Sequence, residues 1–341
     1  MKAIVVITML ALALLPSSTC GQTPKETALQ LAGHPPQSPD YYFSVKQRVG
    51  DGGVRDIQRE LSKFAYEEAG LPFGTTFSGC RFPDWFSQQS SGFELARASA
   101  DTKAWQDNLT LIKLVGSRRD ALHERVRHGE QVDPAYAGAA AAFRRATTEA
   151  DGRKAELARR VGEDQLERVD GSVAQSHSLW AADVTPALDA YYREALAGGM
   201  CRTDRANTTW LKADLAAHGW PKVSVLGPQA DNDVWLLVQH ADHDLVFQKS
   251  VLVLLEGLLP TKDTQPQSYA YLYDRVAIAE KRAQRYGTQG RCIGPAKWEP
   301  YASENPEGLD KRRAAVGLNS EVEYTRMFTF CTAELAAMSG G

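Results

Sequence analysis

"FELARASADTKAWQDNLTLIKLVGSRRDALHERVRH" (93–128) and "AAAAFRRATTEADGRKAELARRVGEDQLERV" (139–169) decide the fold. Both are rich in Ala, Leu, Arg and Glu, residues that lose little freedom in a helix. Turn signals are few, so the text from Gly92 to about Leu196 predicts three or four helices. Breaks are expected at "GEQVDP" (129–134) and near "VDGS" (169–172). The charge runs read as solvated helix faces.

The 341-residue chain is 43% hydrophobic and 24% charged, with a formal net charge of −3. That is a globular composition with apolar residues enough for a core. It has no basic excess for nucleic acid and no acidic tail. "MKAIVVITMLALALLPSSTCGQ" (1–22) has a short positive start, an apolar run to Leu15, then Pro16 and small residues. This is the pattern of a secretory signal peptide over residues 1–20, too short to span a membrane. No other segment approaches transmembrane length. The chain is expected to be exported, periplasmic or secreted. Cys20 is where a lipid anchor would attach, but Ser17 and Thr19 stand where a lipobox prefers other residues.

Four cysteines remain, Cys80, Cys201, Cys292 and Cys331. An even number in an exported chain points to two disulfides. Of three pairings, one joining Cys201 to Cys292 or Cys331 is favoured, since these share the C-terminal region; buried free thiols are the alternative. No cysteine–histidine ladder suggests structural zinc.

Residues 21–47 ("GHPPQSPDYY" among them) read as a flexible tether. "VRDIQRELSKFAYEEAG" (54–70) carries an apolar stripe closed by Gly70, a helix within a helical region over 48–196. Beyond Gly198 the texture changes. Gly, Trp, Tyr and His become denser, and a C-terminal His/Arg-rich domain over 197–341 is expected, mostly helical with few or no short strands. The fold class is mainly α.

In the C-terminal region, "DLAAHGWPKV" (214–223) ends a helix: Gly219 suits the left-handed stop, Pro221 prevents continuation and His218 caps the negative end. "WLLVQHADHDLVFQ" (235–248) is odder, with two histidines and two aspartates from His240 to Asp244. Taken as one helix from Val234 to Leu254, it places His240 and Asp244 i, i+4 on the margin of the apolar face. Three readings stay open: a structural pair, a catalytic or anion-binding pair, and a divalent-metal site of His240, His243 and Asp244. HExxH is absent, and no metal is assigned.

"SYAYLYDRVAIAEKRAQRYGTQGRC" (268–292) is helical to about Ala283. Asp274 and Arg275 are mid-helix charges, with a surface pair between Asp274 and Lys281 as one reading. Then "QRYGTQ" (284–289) offers Gln284, Arg285, Tyr286, Thr288 and Gln289 as hydrogen-bonding groups, for a polar ligand or for fastening a loop. "EGLDKRRAAVGL" (307–318) is a short helix in which at most one of Arg312 and Arg313 faces a pocket, with Asp310 and Arg313 as i, i+3 partners. "EVEYTRMFTFCTAEL" (321–335) reads as a last helix. No Walker loop, dinucleotide fingerprint or GxSxG elbow is present, so no cofactor is expected.

HGWP (218–221), QHAD (239–242), DRV (274–276), QRYGTQ (284–289) and RR (312–313) followed by VGL and EY resemble the bacterial family DUF6624, over roughly Asp204 to Tyr324. The family label implies no activity. It implies that His218, Gln239, His240, Asp242, Asp274, Arg275, Gln284 to Gln289, Arg312 and Arg313 belong to one architecture. The resemblance also implies a glycine-containing turn near Glu280 to Arg282, as in many relatives, where this chain reads "EKRAQ" (280–284).

The expectation is a cleft lined by His240, Asp244, Arg285, Gln289 and Arg312, with His218, Gln239, His243, Asp274, Arg275, Tyr286 and Arg313 as further ligand-binding candidates. It would bind a small anionic or hydroxyl-rich envelope ligand. In a hydrolytic version His240 is general base and Asp244 orients it. The competing expectation is a non-catalytic interaction protein with a structural His–Asp pair, meeting a protein partner through its N-terminal helices.

Overall fold

The computed structural model describes residues 22–73, 79–329 and 331. The signal-peptide reading of 1–20 lies outside them. In chain order the α-helices are α1 Pro24–Leu31, α2 Pro39–Glu68, α3 Asp84–Arg97, α4 Thr102–Arg127, α5 Ala137–Thr148, α6 Gly152–Gln175, α7 Asp189–His218, α8 Val223–Leu226, α9 Pro228–Gln239, α10 Leu245–Leu258 and α11 Pro266–Ala279. The hairpin β1 Gly290–Gly294 and β2 Lys297–Pro300 follows, then α12 Leu309–Ala315 and α13 Glu321–Thr325. Among the described residues this two-stranded antiparallel ribbon is the only sheet. The fold is mainly α.

The stretch read as a tether is helical and packed. Thr23 and Glu26 form a capping box that starts α1. Ala28 and Leu31 of α1, with Tyr42, Phe43 and Val45 of α2, enter the core. Of the Pro residues in that stretch, Pro24 and Pro39 open α1 and α2, while Pro35 and Pro36 lie in the short connection between them. The helix read from Val54 therefore begins at Pro39, with a kink at Gly50, whose φ of 67° a Cβ would disfavour.

Two clusters of buried side chains share the molecule. The first gathers α1 to α4 around Phe93, Trp105, Tyr136 and Leu188; the second gathers α9 to α11 around Leu211, Val234, Leu237, Leu272 and Val276. Helices α6 and α7 serve both. In α6, Leu157 and Val161 belong to the second cluster while Leu166 and Val173 belong to the first. In α7, Tyr192 and Leu196 face the first and Leu211 the second. The expected break at 169–172 is absent, because Val173 and Ala174 continue the buried stripe of α6 past Gly171. Likewise no linker separates the two halves near residue 197: α7 runs through it for 30 residues.

The helix expected over Val234–Leu254 is instead two. Helix α9 ends at Gln239, and α10 begins after Asp244, whose carboxylate caps the Phe247 N–H at 3.0 Å. Buried Gln248 completes the corner by donating to the Val238 and Gln239 carbonyls at 3.2 and 3.3 Å. Those are C-terminal carbonyls of α9, where the Val238 oxygen also takes the Ala241 N–H at 3.0 Å.

Helix α11 stops at Ala279, short of the expected Ala283. The last expected helix is realised as Glu321–Thr325, and 332–335 lie outside the described residues. The disulfides are Cys80–Cys201 and Cys292–Cys331. The favoured partner for Cys201 was the wrong one. Cys292 sits on the hairpin beside Cys331, while the bond from Cys201 ties α7 to the turn before α3.

Candidate active site

The corner between α9 and α10 projects His240 against α6. Its Nδ1 lies 2.8 Å from Asp164 Oδ1, a residue 76 positions earlier. Asp164 is almost wholly buried, with 1% of its side chain exposed against 16% for His240. One turn along α6, Arg168 reaches both carboxylates of the site: Asp164, at 3.3 Å, and Asp204 of α7, at 2.7 Å. Its Nε also lies 3.1 Å from His240 Nδ1. Nδ1 cannot donate to Asp164 and accept from Arg168 together. The arrangement that gives every proton an acceptor has Nδ1–H pointing to Asp164 and Arg168 donating to the carboxylates.

Burial pushes the His240 imidazole down; Asp164 pulls it up, and the charges of Arg168 and Arg275 press it down again, for a net lowering. The ring is therefore neutral at neutral pH. Burial pulls the Asp164 carboxyl up, but His240 and Arg168 outweigh it and hold it low. With Nδ1 fixed by Asp164, the lone pair is on Nε2. No hydrogen-bond partner reaches Nε2 among the described residues, and it is not sealed from solvent.

A second ion pair borders the ring. Arg275 of α11 donates to both oxygens of Asp242 at 3.1 and 2.8 Å, and Gln248 donates to the same carboxylate at 3.1 Å. His243 is half-buried with Nδ1 unpaired, its imidazole pushed down by burial and by Arg205.

Asp244 does not orient His240. As the cap of α10 it faces the other way and pairs with Lys212 of α7. The i, i+4 geometry needed an unbroken helix. The trio His240, His243 and Asp244 is therefore not assembled around one point. Asp164, Asp204 and His240 do each bring one ligand-type atom within 4.8 Å of the others, a spacing suited to a divalent ion. The guanidinium of Arg168 already pairs with both Asp164 and Asp204, so a metal would have to displace a part-buried, doubly paired cation.

The other candidates are spread out. Buried Asp274 accepts from the backbone N–H groups of Arg285, Tyr286 and Thr288 and from the Thr288 hydroxyl at 2.7–3.2 Å, and has no surface partner in Lys281. Gln284 spans the Gln289 and Tyr301 carbonyls at 2.8 and 2.7 Å, and its own oxygen takes the Gln289 N–H at 2.8 Å. Gln289 turns its amide on Thr288. Fully buried Arg313 holds the Tyr286, Gly287 and Asn319 carbonyls and stacks on Tyr324, rather than meeting Asp310, which takes the Glu321 N–H. Arg312 clamps the carbonyls of Arg285, Glu304 and Asn305. These side chains fasten the loop. Arg285 lies beside the Tyr273 and Tyr286 rings. Tyr273 is two residues from Arg275 and so on another face of α11. Arg285 is thus not part of the His240 site.

His218 ends α7, its Nδ1 3.2 Å from the Asp214 carbonyl, and lines an open groove with Arg153, Glu156 and Trp210. Gln239 contributes its backbone carbonyl to the corner. Of the expected group, then, His240, Gln239, Asp242, Arg275 and His243 meet or adjoin; the rest do not.

With this geometry in hand the chain can be placed among known proteins. Residues 181–333 match the family of unknown function DUF6624. No curated protein and no solved structure matches the chain. The DUF6624 segment supplies Asp204, His240, Asp242 and Arg275. Asp164 and Arg168 lie before it, on α6, so the site is completed from outside the matched segment.

Asp164, Arg168 and Asp204 were not foreseen. Asp164 and Arg168 sat in a charge run read as solvated, and Asp204 marked only the start of the family resemblance. The signal was a misplaced charge. Asp164 falls seven residues after Leu157 and three after Val161, on the buried stripe of α6, and Asp204 falls seven before Leu211 on that of α7.

Proposed function

We propose that the chain is an exported protein with a proton-transfer site, in which His240 acts as general base on a neutral, hydroxyl- or amide-bearing envelope ligand. The observation that carries this reading is the neutral imidazole held at Nδ1 by a buried carboxylate, with its Nε2 lone pair open. That is the tautomer and orientation a general base needs. An anionic ligand suits the site less, because Arg168 and Arg275 are already matched to Asp164, Asp204 and Asp242. Hydrolysis is the natural reaction class: water deprotonated by Nε2, with the proton charge spread onto the His240–Asp164 pair. Two disulfides fit an oxidising compartment. The first 20 residues, read as a signal peptide, support the periplasm or the outside; recovery of acylated Cys20 from membranes would establish an anchor.

The test is a panel of p-nitrophenyl esters, p-nitrophenyl glycosides and envelope glycan and peptide fragments. His240→Gln is expected to abolish turnover or binding while the melting temperature stays within a few degrees. If no member of the panel is turned over or bound by the wild type, or if His240→Gln unfolds the protein, the reading fails.

A non-catalytic interaction protein is the second reading. The N-terminal helices do not favour it: between Gly92 and Leu196 the exposed large apolar residues are the scattered Leu114 and Leu179. What favours it is α10, where Val246, Val253 and Leu254 are exposed on one side.

A further inference from the structure

Asp204 lies three residues beyond Cys201 on α7, one turn along the same face. Its side chain is 5% exposed. One carboxyl oxygen accepts from Arg168. The other, Oδ2, lies 3.5 Å from the Cys80 sulfur, and no other group reaches it among the described residues. That sulfur is bonded to Cys201 and has no hydrogen to give. A buried carboxylate oxygen without a donor is costly, so Oδ2 is the oxygen on which Asp204 takes up a proton when it is protonated, facing the disulfide.

The two cysteines are unequally buried. Cys80 is buried, whereas Cys201 is partly exposed. The second disulfide is different: Cys292 and Cys331 are both buried, and no titratable side chain is hydrogen-bonded to either sulfur among the described residues.

We propose that Cys80–Cys201 is a thiol–disulfide exchange site, at which an external dithiol attacks Cys201 and Asp204 protonates the departing Cys80 sulfur. A thiolate of the dithiol forms a bond to the Cys201 sulfur as the Cys80–Cys201 bond breaks. The electron pair leaves on Cys80, which takes the Asp204 proton. The second thiol of the reductant, deprotonated by solvent, then displaces Cys201 and closes the reductant's own disulfide. Cys201 and Asp204 regain protons from solvent. The protein disulfide is reduced and the dithiol oxidised, with two protons moved from reductant to protein overall.

The groups facing Asp204 set its readiness. Burial raises its carboxyl; Arg168 lowers it; Asp164 of α6 and Asp242 of the α9–α10 corner raise it again, to about 7. Above that, Asp204 is ionised and has no proton to give. Because Arg168 also holds Asp164 at the His240 site, an ionised Asp204 after exchange competes for that guanidinium.

The experiment exposes oxidised full-length protein to dithiothreitol over pH of about 6 to 8.5, followed by acid quench, alkylation and mass spectrometry of each cysteine. Cys80 and Cys201 are expected to become reactive about tenfold faster than Cys292 and Cys331. The ratio of the two rates, which cancels the thiolate content of the reductant, is expected to fall as pH rises through about 7. Asp204→Asn should slow Cys80–Cys201 opening about tenfold and leave the other disulfide unchanged. The wild-type ratio stands alone if that variant folds poorly. Equal opening rates, or a ratio flat in pH, overturn the proposal, and neither readout depends on any hydrolytic activity.

Discussion

Asp164 and His240 are joined at 2.8 Å across 76 residues of chain, and the carboxylate is the more deeply buried partner. Removing it has two consequences. The imidazole loses what selects its tautomer, and Arg168 loses one of two counter-charges. Asp164→Ala is expected to destabilise the protein by roughly 3 kcal/mol, the low end for breaking a buried pair, since Arg168 keeps Asp204. Asp164→Asn, of the same shape, is expected to cost less but to remove any His240-dependent activity. Chemical denaturation and turnover, measured side by side, check this; an Asp164→Asn protein with full activity would show that Asp164 is only structural.

The lowered His240 affinity for protons has a sign that can be read in solution. Unfolded, the ring titrates near its ordinary value of 6.5; folded, it titrates lower. Between the two the unfolded chain binds more protons, so this group's contribution to stability is lost as pH falls below 6.5. For the same reason His240 Nε2 should stay reactive to diethylpyrocarbonate below pH 6.5, where exposed His128 serves as the internal reference. Peptide mapping of the labelled sites reports it. A fall in His240 labelling centred above 6.5 would contradict the neutral, desolvated ring.

Asp274 is a knot rather than a ligand group. It replaces solvent for three backbone N–H groups and one hydroxyl of the 285–288 loop. Asp274→Ala leaves these buried donors unpaired, so a loss of about 3 kcal/mol or more is expected. Hydrogen exchange of the Arg285, Tyr286 and Thr288 amides should accelerate first. Unchanged protection of those amides would mean the loop is held by other contacts.

Lys281 takes the left-handed conformation, with φ of 59°, immediately after α11. The Lys281 N–H bonds the Ile278 carbonyl at 2.9 Å and the Arg282 N–H bonds that of Ala277 at 2.8 Å, the paired closure usually built on glycine. A Cβ here is strained, so Lys281→Gly is expected to raise stability by about 1 kcal/mol. A thermal melt decides it, and an unchanged or lower midpoint would place the strain elsewhere.

Much of this architecture was legible in the residues. Helical periodicity, the stop at Gly219 and the number of disulfides are local or compositional properties, and short-range physics suffices for them. "QRYGTQ" announced a hydrogen-bonding segment but not its object: a polar strip facing a ligand and one gripping its own backbone read alike. The break at Asp244 was hidden because an aspartate on a helix margin and an aspartate capping the next helix fit the same spacing.

The sequence by itself determined a mainly helical chain, two disulfides and a His-bearing stretch worth attention. Only the tertiary structure decided that His240 answers to Asp164 and Arg168 rather than to Asp244, and that Cys201 bonds Cys80. Helix periodicity places side chains relative to their own axis over a few residues. Which axis lies opposite depends on how α6, α7 and the α9–α10 corner pack, and that packing energy is summed over the whole core.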